Sequence, residues 1–122
     1  MEEAGLVVRS DLMGNIFGRF EGQDPSAPVS RFCVRAARRL CSYSYLPTSQ
    51  AILTGSHTDA IPLSGMYDGV LGVLGGIEAL RALRSAGFKP KRSLEVVMFT
   101  SEEPTRFGLS CSGRRDTSRT AS

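Results

Sequence analysis

Residues 54–69 read TGSHTDAIPLSGMYDG and contain the only histidine of the chain, His57, together with Asp59 and Asp68. Further along, the sequence TSEE adds the adjacent acidic pair Glu102 and Glu103. An imidazole nitrogen and carboxylate oxygens are donors that suit zinc, manganese or cobalt. The two segments together predict a metal site.

Each of these segments follows a stretch typical of a buried strand. Residues 51–55, AILTG, end just before His57, and residues 93–99, SLEVVMF, end just before the glutamate pair. Between them, residues 69–85 show the apolar periodicity of an amphipathic helix, with Gly87 placed to end it. Strand, helix and strand in this order predict a βαβ unit with two parallel strands.

Ligands of open α/β sheets gather beyond the carboxyl ends of the strands, which is where the predicted donors lie. We therefore predict an α/β fold with a partial, mostly parallel sheet and the helix packed on one face. The other face and the sheet edges are expected to be exposed. In the amino-terminal part, residues 1–13 predict the end of a helix and an extended stretch, and 15–20 a short strand after a turn at 13–15.

The donors divide into distinct chemical roles. Asp68 stands between the two strand ends and suits a carboxylate that bridges two metal ions, while Asp59 is placed to orient the imidazole. One glutamate of the pair can bind metal while the other accepts a proton from water. The residues alone leave alternatives open: a structural histidine, a solvated glutamate pair, and Asp68 as a helix cap.

Composition limits the other functions. The chain has 122 residues, 41% of them hydrophobic, and no apolar run reaches the roughly 20 residues of a membrane span. The net charge of +3 is concentrated in residues 29–50 and in the tail from Arg114. Cys33, Cys41 and Cys111 are odd in number and lack CxxC spacing, which predicts reduced, inert thiols.

Two longer stretches resemble a known family. Residues 55–80, GSHTDAIPLSGMYDGVLGVLGGIEAL, and 94–108, LEVVMFTSEEPTRFG, are similar to metal-dependent amidohydrolases that act on ureidoglycolate, allantoate and N-carbamoyl amino acids. These enzymes belong to a superfamily of dinuclear metallohydrolases. The form SEEPTRFG is most similar to the plant ureidoglycolate branch. The resemblance covers residues 2–28 and 51–113.

By position, the resemblance implies that His57, Asp68 and Glu103 bind metal, with Asp68 as the bridge. It implies that Glu102 is the general base and that Asp59 supports His57. Two divalent ions, expected to be manganese, would serve hydrolysis of a non-peptide C–N bond. The implied substrate is ureidoglycolate, split to glyoxylate, ammonia and carbon dioxide in purine breakdown.

The departures from the family are equally specific. Family chains continue on both sides and supply two more histidine ligands and a dimerisation domain, so this chain alone is predicted to be inactive, as the product of an alternative transcript. We predict four parts: 1–28 and 51–113 from the catalytic domain, a basic insert at 29–50 that resembles a retained intron, and a disordered tail at 114–122.

Two other functions stay open, namely an interaction fragment, including RNA binding through the arginines of 29–50, and a product with no function of its own. A membrane partner is not expected, and nucleic acid is the less favoured of the partners. No signal peptide is evident, although the resemblance implies the endoplasmic reticulum for full-length plant relatives.

Overall fold

The computed structural model describes residues 1–24 and 51–112, which form one four-stranded sheet and one long helix. A 3-10 turn at Glu2–Ala4 is followed by strands β1 (Val7–Ser10), β2 (Ile16–Phe20) and β3 (Ile52–His57), helix α1 (Val70–Ser85) and strand β4 (Leu94–Phe99). The predicted insert at 29–50, the predicted tail at 114–122, Cys33 and Cys41 lie outside the described residues.

The sheet is mixed, so the prediction of a mostly parallel sheet is wrong. Its order is β1-β2-β4-β3, and only β3 and β4 are parallel, as the βαβ pattern predicted. β2 pairs antiparallel with both β1 and β4. For the first pair the cause is local, because a short turn joins β1 and β2 and two strands joined this way run antiparallel.

The amino-terminal elements also differ in detail from the sequence pattern. The predicted helix end is a 3-10 turn that stops at Gly5, in the left-handed conformation with φ 73°. The predicted extended stretch is the paired strand β1. β3 runs to His57, beyond the predicted end at residue 55, so the histidine is its last residue and not part of the following loop.

Helix α1 spans almost the predicted residues and ends at the predicted glycine. Gly87, with φ 71°, lies one residue past the C-cap, and the Phe88 N–H donates to the Leu83 carbonyl at 3.0 Å. Leu71 and Leu74 are more than half exposed, so the buried stripe is narrower than the apolar pattern. Within the described part of the chain, no helix has the length and apolar character needed to cross a membrane.

The core lies between α1, the amino-terminal turn and one face of the sheet. Its buried residues are Ala4, Leu6, Leu80 and Val96. Burial of a leucine side chain such as Leu80 contributes roughly 1.5–3 kcal/mol.

The opposite face of the sheet is not exposed as predicted. Side chains alternate along β4, so Glu95 and Val97 point away from α1, as does the neighbouring Phe17 on β2. All three are at most 1% exposed. Arg9 and Arg19 pair with the buried Glu95 carboxylate at 3.4 and 3.1 Å, which compensates its charge.

Candidate metal centre

His57 is the last residue of β3, and one of its ring nitrogens is occupied by a hydrogen bond. The residue is only 8% exposed, and Nδ1 lies 2.8 Å from the backbone carbonyl of Asp59. A carbonyl oxygen only accepts hydrogen bonds, so Nδ1 carries the proton in the neutral ring. Nε2 then keeps its lone pair, which is the state that a metal ligand requires.

The glycine before α1 packs closely against the imidazole ring. Gly69 has a φ of 68°, and a Cβ built there would lie 2.5 Å from Cε1 of His57. No side chain fits between the start of the helix and the ring. The glycine in the YDG sequence is therefore explained by this contact as well as by its backbone conformation.

Three donors converge at the carboxyl edge of the parallel strands. One ligand atom each from His57, Glu102 and Glu103 lie within 4.8 Å of one another. Nε2 of His57 is 3.6 Å from Oε2 of Glu102. The structure thus brings together two of the predicted ligands, His57 and Glu103, and places the predicted general base Glu102 in the same group.

Asp59 connects the two loops that carry these donors. Its Oδ1 lies 3.7 Å from Nδ1 of His57. The same carboxylate accepts the backbone N–H groups of Glu102 at 3.3 Å and Glu103 at 2.9 Å. Asp59 therefore sits beside the imidazole, as predicted, and also fixes the backbone of the glutamate pair, which the sequence did not indicate.

Asp68 lies at the rim of the site, outside the group of three donors. It is exposed and directly precedes Gly69, the N-cap of α1, where no side chain makes a capping hydrogen bond. The alternative that Asp68 is explained as a helix cap therefore has no hydrogen bond to support it. Its role as a bridging ligand stays a prediction.

The site carries more negative than positive charge. Desolvation raises the pKa of Glu103, and the carboxylates of Glu102 and Asp68 raise it further. Among the described residues, no lysine or arginine forms an ion pair with Asp59, Asp68 or the two glutamates. A bound cation would compensate this charge, and the nitrogen and oxygen donors fit a divalent transition metal.

The chain matches a known family over this part of its length. The sequence model of Peptidase family M20/M25/M40 matches residues 53–115, which include His57, Asp68 and both glutamates. The chain belongs to this family.

Individual relatives confirm the resemblance to ureido-compound hydrolases. The chain is 53% identical over 115 residues to ureidoglycolate hydrolase of Arabidopsis thaliana, covering 94% of the chain and 20% of the relative. It is 37% identical to an N-carbamoyl-L-amino-acid amidohydrolase of a Pseudomonas strain, covering 94% and 22%.

A solved structure gives the same result. The crystal structure of AtUAH in complex with (S)-hydroxyglycine matches with a TM-score of 0.72 at 52% identity, over 93% of this chain and 22% of that one. The chain therefore spans about a fifth of the length of the relatives it matches.

Two residues at the site were missed by the sequence patterns. Asn15, predicted as the end of a turn and the start of a strand, is fully buried and accepts the Thr100 N–H at 2.9 Å. Cys111, predicted to be inert, places its Sγ 3.0 Å from Oε1 of Glu102, and its backbone N–H donates to the Glu102 carbonyl at 2.6 Å. Neither contact had a local signal, because both join residues that no short motif relates.

Proposed function

We propose that this chain forms one side of the dinuclear metal site of an amidohydrolase that cleaves non-peptide C–N bonds of ureido compounds, ureidoglycolate above all. The observation that carries the proposal is the convergence of His57, Glu102 and Glu103, with Nδ1 of the histidine occupied by the Asp59 carbonyl. The 53% identity to a ureidoglycolate hydrolase supports the choice of substrate.

The proposed roles are those that the resemblance implies by position. His57, Asp68 and Glu103 would hold two divalent ions, for which manganese is the proposed metal. When bound, these ions lower the pKa of water and stabilise negative charge on a carbonyl oxygen. Glu102 accepts the proton of the attacking water and passes it to the leaving nitrogen. Its Oε1 lies beside the Cys111 thiol, so Oε2, which faces the histidine, is the oxygen suited to this transfer.

A metal titration tests the site. We expect the purified 122-residue chain to bind Mn²⁺ in calorimetry or by loss of the free Mn²⁺ paramagnetic resonance signal. His57→Ala, Asp68→Ala and Glu103→Gln should each weaken binding at least about tenfold, since each removes a charged or nitrogen ligand. Glu78→Gln is the matched control, because Glu78 is 60% exposed and pairs with Arg81 on the helix surface. Equal binding by all variants would refute the site.

Turnover requires a separate assay. The chain has one histidine, and the resemblance implies two further histidine ligands, so we propose that the isolated chain binds metal without hydrolysing ureidoglycolate. Ammonia release from ureidoglycolate in the presence of Mn²⁺ measures this. Turnover that disappears in Glu102→Gln would show that the chain is a complete catalyst and would contradict this part of the proposal.

A second function, association with another protein surface, is favoured by the exposed loop before α1. Leu63, Met66 and Tyr67 are each more than 70% exposed in this loop, and apolar side chains clustered in this way mark contact surfaces. Sedimentation velocity over a range of concentrations tests it. Self-association that is abolished by Leu63→Ser combined with Tyr67→Ser would support a contact surface, and a monomer at all concentrations would argue against association between copies.

A further inference from the structure

Asn15 joins the amino-terminal hairpin to the loop that carries the glutamate pair. The residue is 0% exposed, and its Oδ1 accepts the backbone N–H of Thr100 at 2.9 Å. Thr100 follows the last residue of β4 and lies two residues before Glu102. The contact therefore fixes the backbone at the point where the chain leaves the sheet for the site.

Asp11 determines which way the Asn15 amide points. The Asp11 Oδ2 accepts a hydrogen bond from Nδ2 of Asn15 at 2.7 Å. Its Oδ1 accepts the backbone N–H groups of Met13 at 3.0 Å and Asn15 at 2.9 Å. A carboxylate only accepts, so the amide nitrogen must face Asp11 and the amide oxygen is left for Thr100.

The loop beyond Thr100 contains an uncommon backbone conformation that neighbouring hydrogen bonds must stabilise. Ser101 has a φ of 49°, which is uncommon for a residue other than glycine. On its far side, the Asp59 carboxylate holds the N–H groups of Glu102 and Glu103. On the side nearer β4, Asn15 fixes the backbone through its hydrogen bond with the Thr100 N–H.

We propose that Asn15, oriented by Asp11, is a positioning residue that sets the placement of Glu102 and Glu103 for metal binding. The inference rests on the proposed metal site. The β1–β2 turn is remote in sequence from every donor. The proposal gives it a part in setting the metal affinity of the site.

A reciprocal exchange of side chains tests this role. Asn15→Asp sets two carboxylates against each other, and Asp11→Asn sets two amide nitrogens against each other, so each single variant loses the Asn15–Asp11 hydrogen bond. In the double variant, Asn at position 11 still accepts both backbone N–H groups and donates to Asp at position 15, which still accepts from Thr100. The double variant therefore restores all four contacts without changing the net charge.

Two measurements follow the loop and the site separately. Amide hydrogen exchange at Glu102 and Glu103, read by NMR without metal, should be at least about tenfold faster in each single variant and return to the wild-type rate in the double variant. Mn²⁺ affinity should fall about tenfold in each single variant, the effect of one buried hydrogen bond, and recover in the double.

Ser93→Ala is the matched control. Ser93 is also buried, at 2% exposure, and its hydroxyl bonds Arg19, Gly22 and Glu21 at the opposite end of β4. It should lower stability while leaving Mn²⁺ affinity and the exchange of the glutamate amides unchanged.

The outcomes separate this inference from the proposed function. Single variants that fold yet keep wild-type exchange and affinity, or a double variant that recovers neither, would overturn the role of Asn15. If the wild-type chain binds no Mn²⁺, the proposed metal site fails, and amide exchange alone then decides whether Asn15 positions the glutamates.

Discussion

The two ends of β4 hold polar groups of very different character. At the start of the strand, Arg19 pairs with Glu21 at 2.7 Å and with Glu95 at 3.1 Å. The Ser93 hydroxyl accepts from Arg19 at 2.9 Å and donates to Glu21 at 2.9 Å. Glu21 and Glu95 thus each have a guanidinium partner at this end of the strand.

Beyond the other end of the strand, the carboxylates of Asp59 and Glu102 lie beside the His57 imidazole, and Glu103 and Asp68 add two further negative charges nearby. Glu102, Glu103, Asp59 and Asp68 have no arginine or lysine partner within the described residues. Uncompensated charge is costly in a folded chain unless something else neutralises it. The difference separates a network of ion pairs from a cluster of carboxylates that we propose binds a cation.

The largest expected effect is on stability, at the start of β4, where arginines compensate the charge of the carboxylates. We call this the compensated end, and the carboxyl end with the His57 cluster the uncompensated end. Glu95→Ala should lower the free energy of unfolding by about 3 kcal/mol, because Arg9 and Arg19 lose their shared buried partner. Urea denaturation measures the loss, with the exposed Glu78→Ala as control. Mn²⁺ affinity of the folded fraction should stay at the wild-type value. A Glu95→Ala chain as stable as the control would show that this network contributes nothing to stability.

The sequence predicted the parts of this molecule that depend on local pattern. Short apolar runs indicated β3 and β4, and apolar periodicity indicated α1. The ends of the two strands placed His57, Glu102 and Glu103 at one edge. The antiparallel position of β2 and the roles of Asn15 and Cys111 depend on contacts between distant residues, which a short pattern does not encode. The identity of the metal and the individual ligand roles stay predictions.

A smaller effect is expected from Gly69→Ala at the uncompensated end. The new Cβ would press on the His57 ring, so Mn²⁺ affinity should fall about tenfold, equivalent to about 1.4 kcal/mol. Gly65→Ala is a close control, because Gly65 also has a positive φ, of 93°, but a Cβ there meets nothing within 4 Å. The positive φ should cost each variant roughly 1–2 kcal/mol of stability, and the contact with the His57 ring should add to the loss in Gly69→Ala. Equal Mn²⁺ affinity in the two would mean that Gly69 does not seat the imidazole.

A still smaller change should follow from replacing Cys111. Cys111→Ala removes the thiol beside Oε1 of Glu102 and should weaken Mn²⁺ binding about threefold, the effect of a weak hydrogen bond. Cys111→Ser keeps a donor at this place and should recover most of the affinity. If the alanine and serine variants bind alike, the thiol acts only by filling space.

The smallest effects are on the pH dependence of stability without metal, where the two ends should differ in sign. Burial pushes the pKa of Glu21 upward, but hydrogen bonds from Arg19 and Ser93 outweigh it and hold the pKa below the ordinary value of 4.5. The Glu21 carboxylate therefore stabilises the fold above that value, and this stability is lost as the pH falls through the lowered pKa.

Glu103 has the opposite linkage, because desolvation and the neighbouring carboxylates raise its pKa. Its ionised form opposes folding, so its unfavourable contribution is absent at low pH and develops as the pH rises through the raised pKa. Urea midpoints between pH 3 and pH 7, measured with a chelator present, should show Glu21→Gln below the wild type and Glu103→Gln above it at neutral pH. Both differences should shrink on acidification. Two differences of the same sign would remove the distinction between a compensated and an uncompensated end of β4.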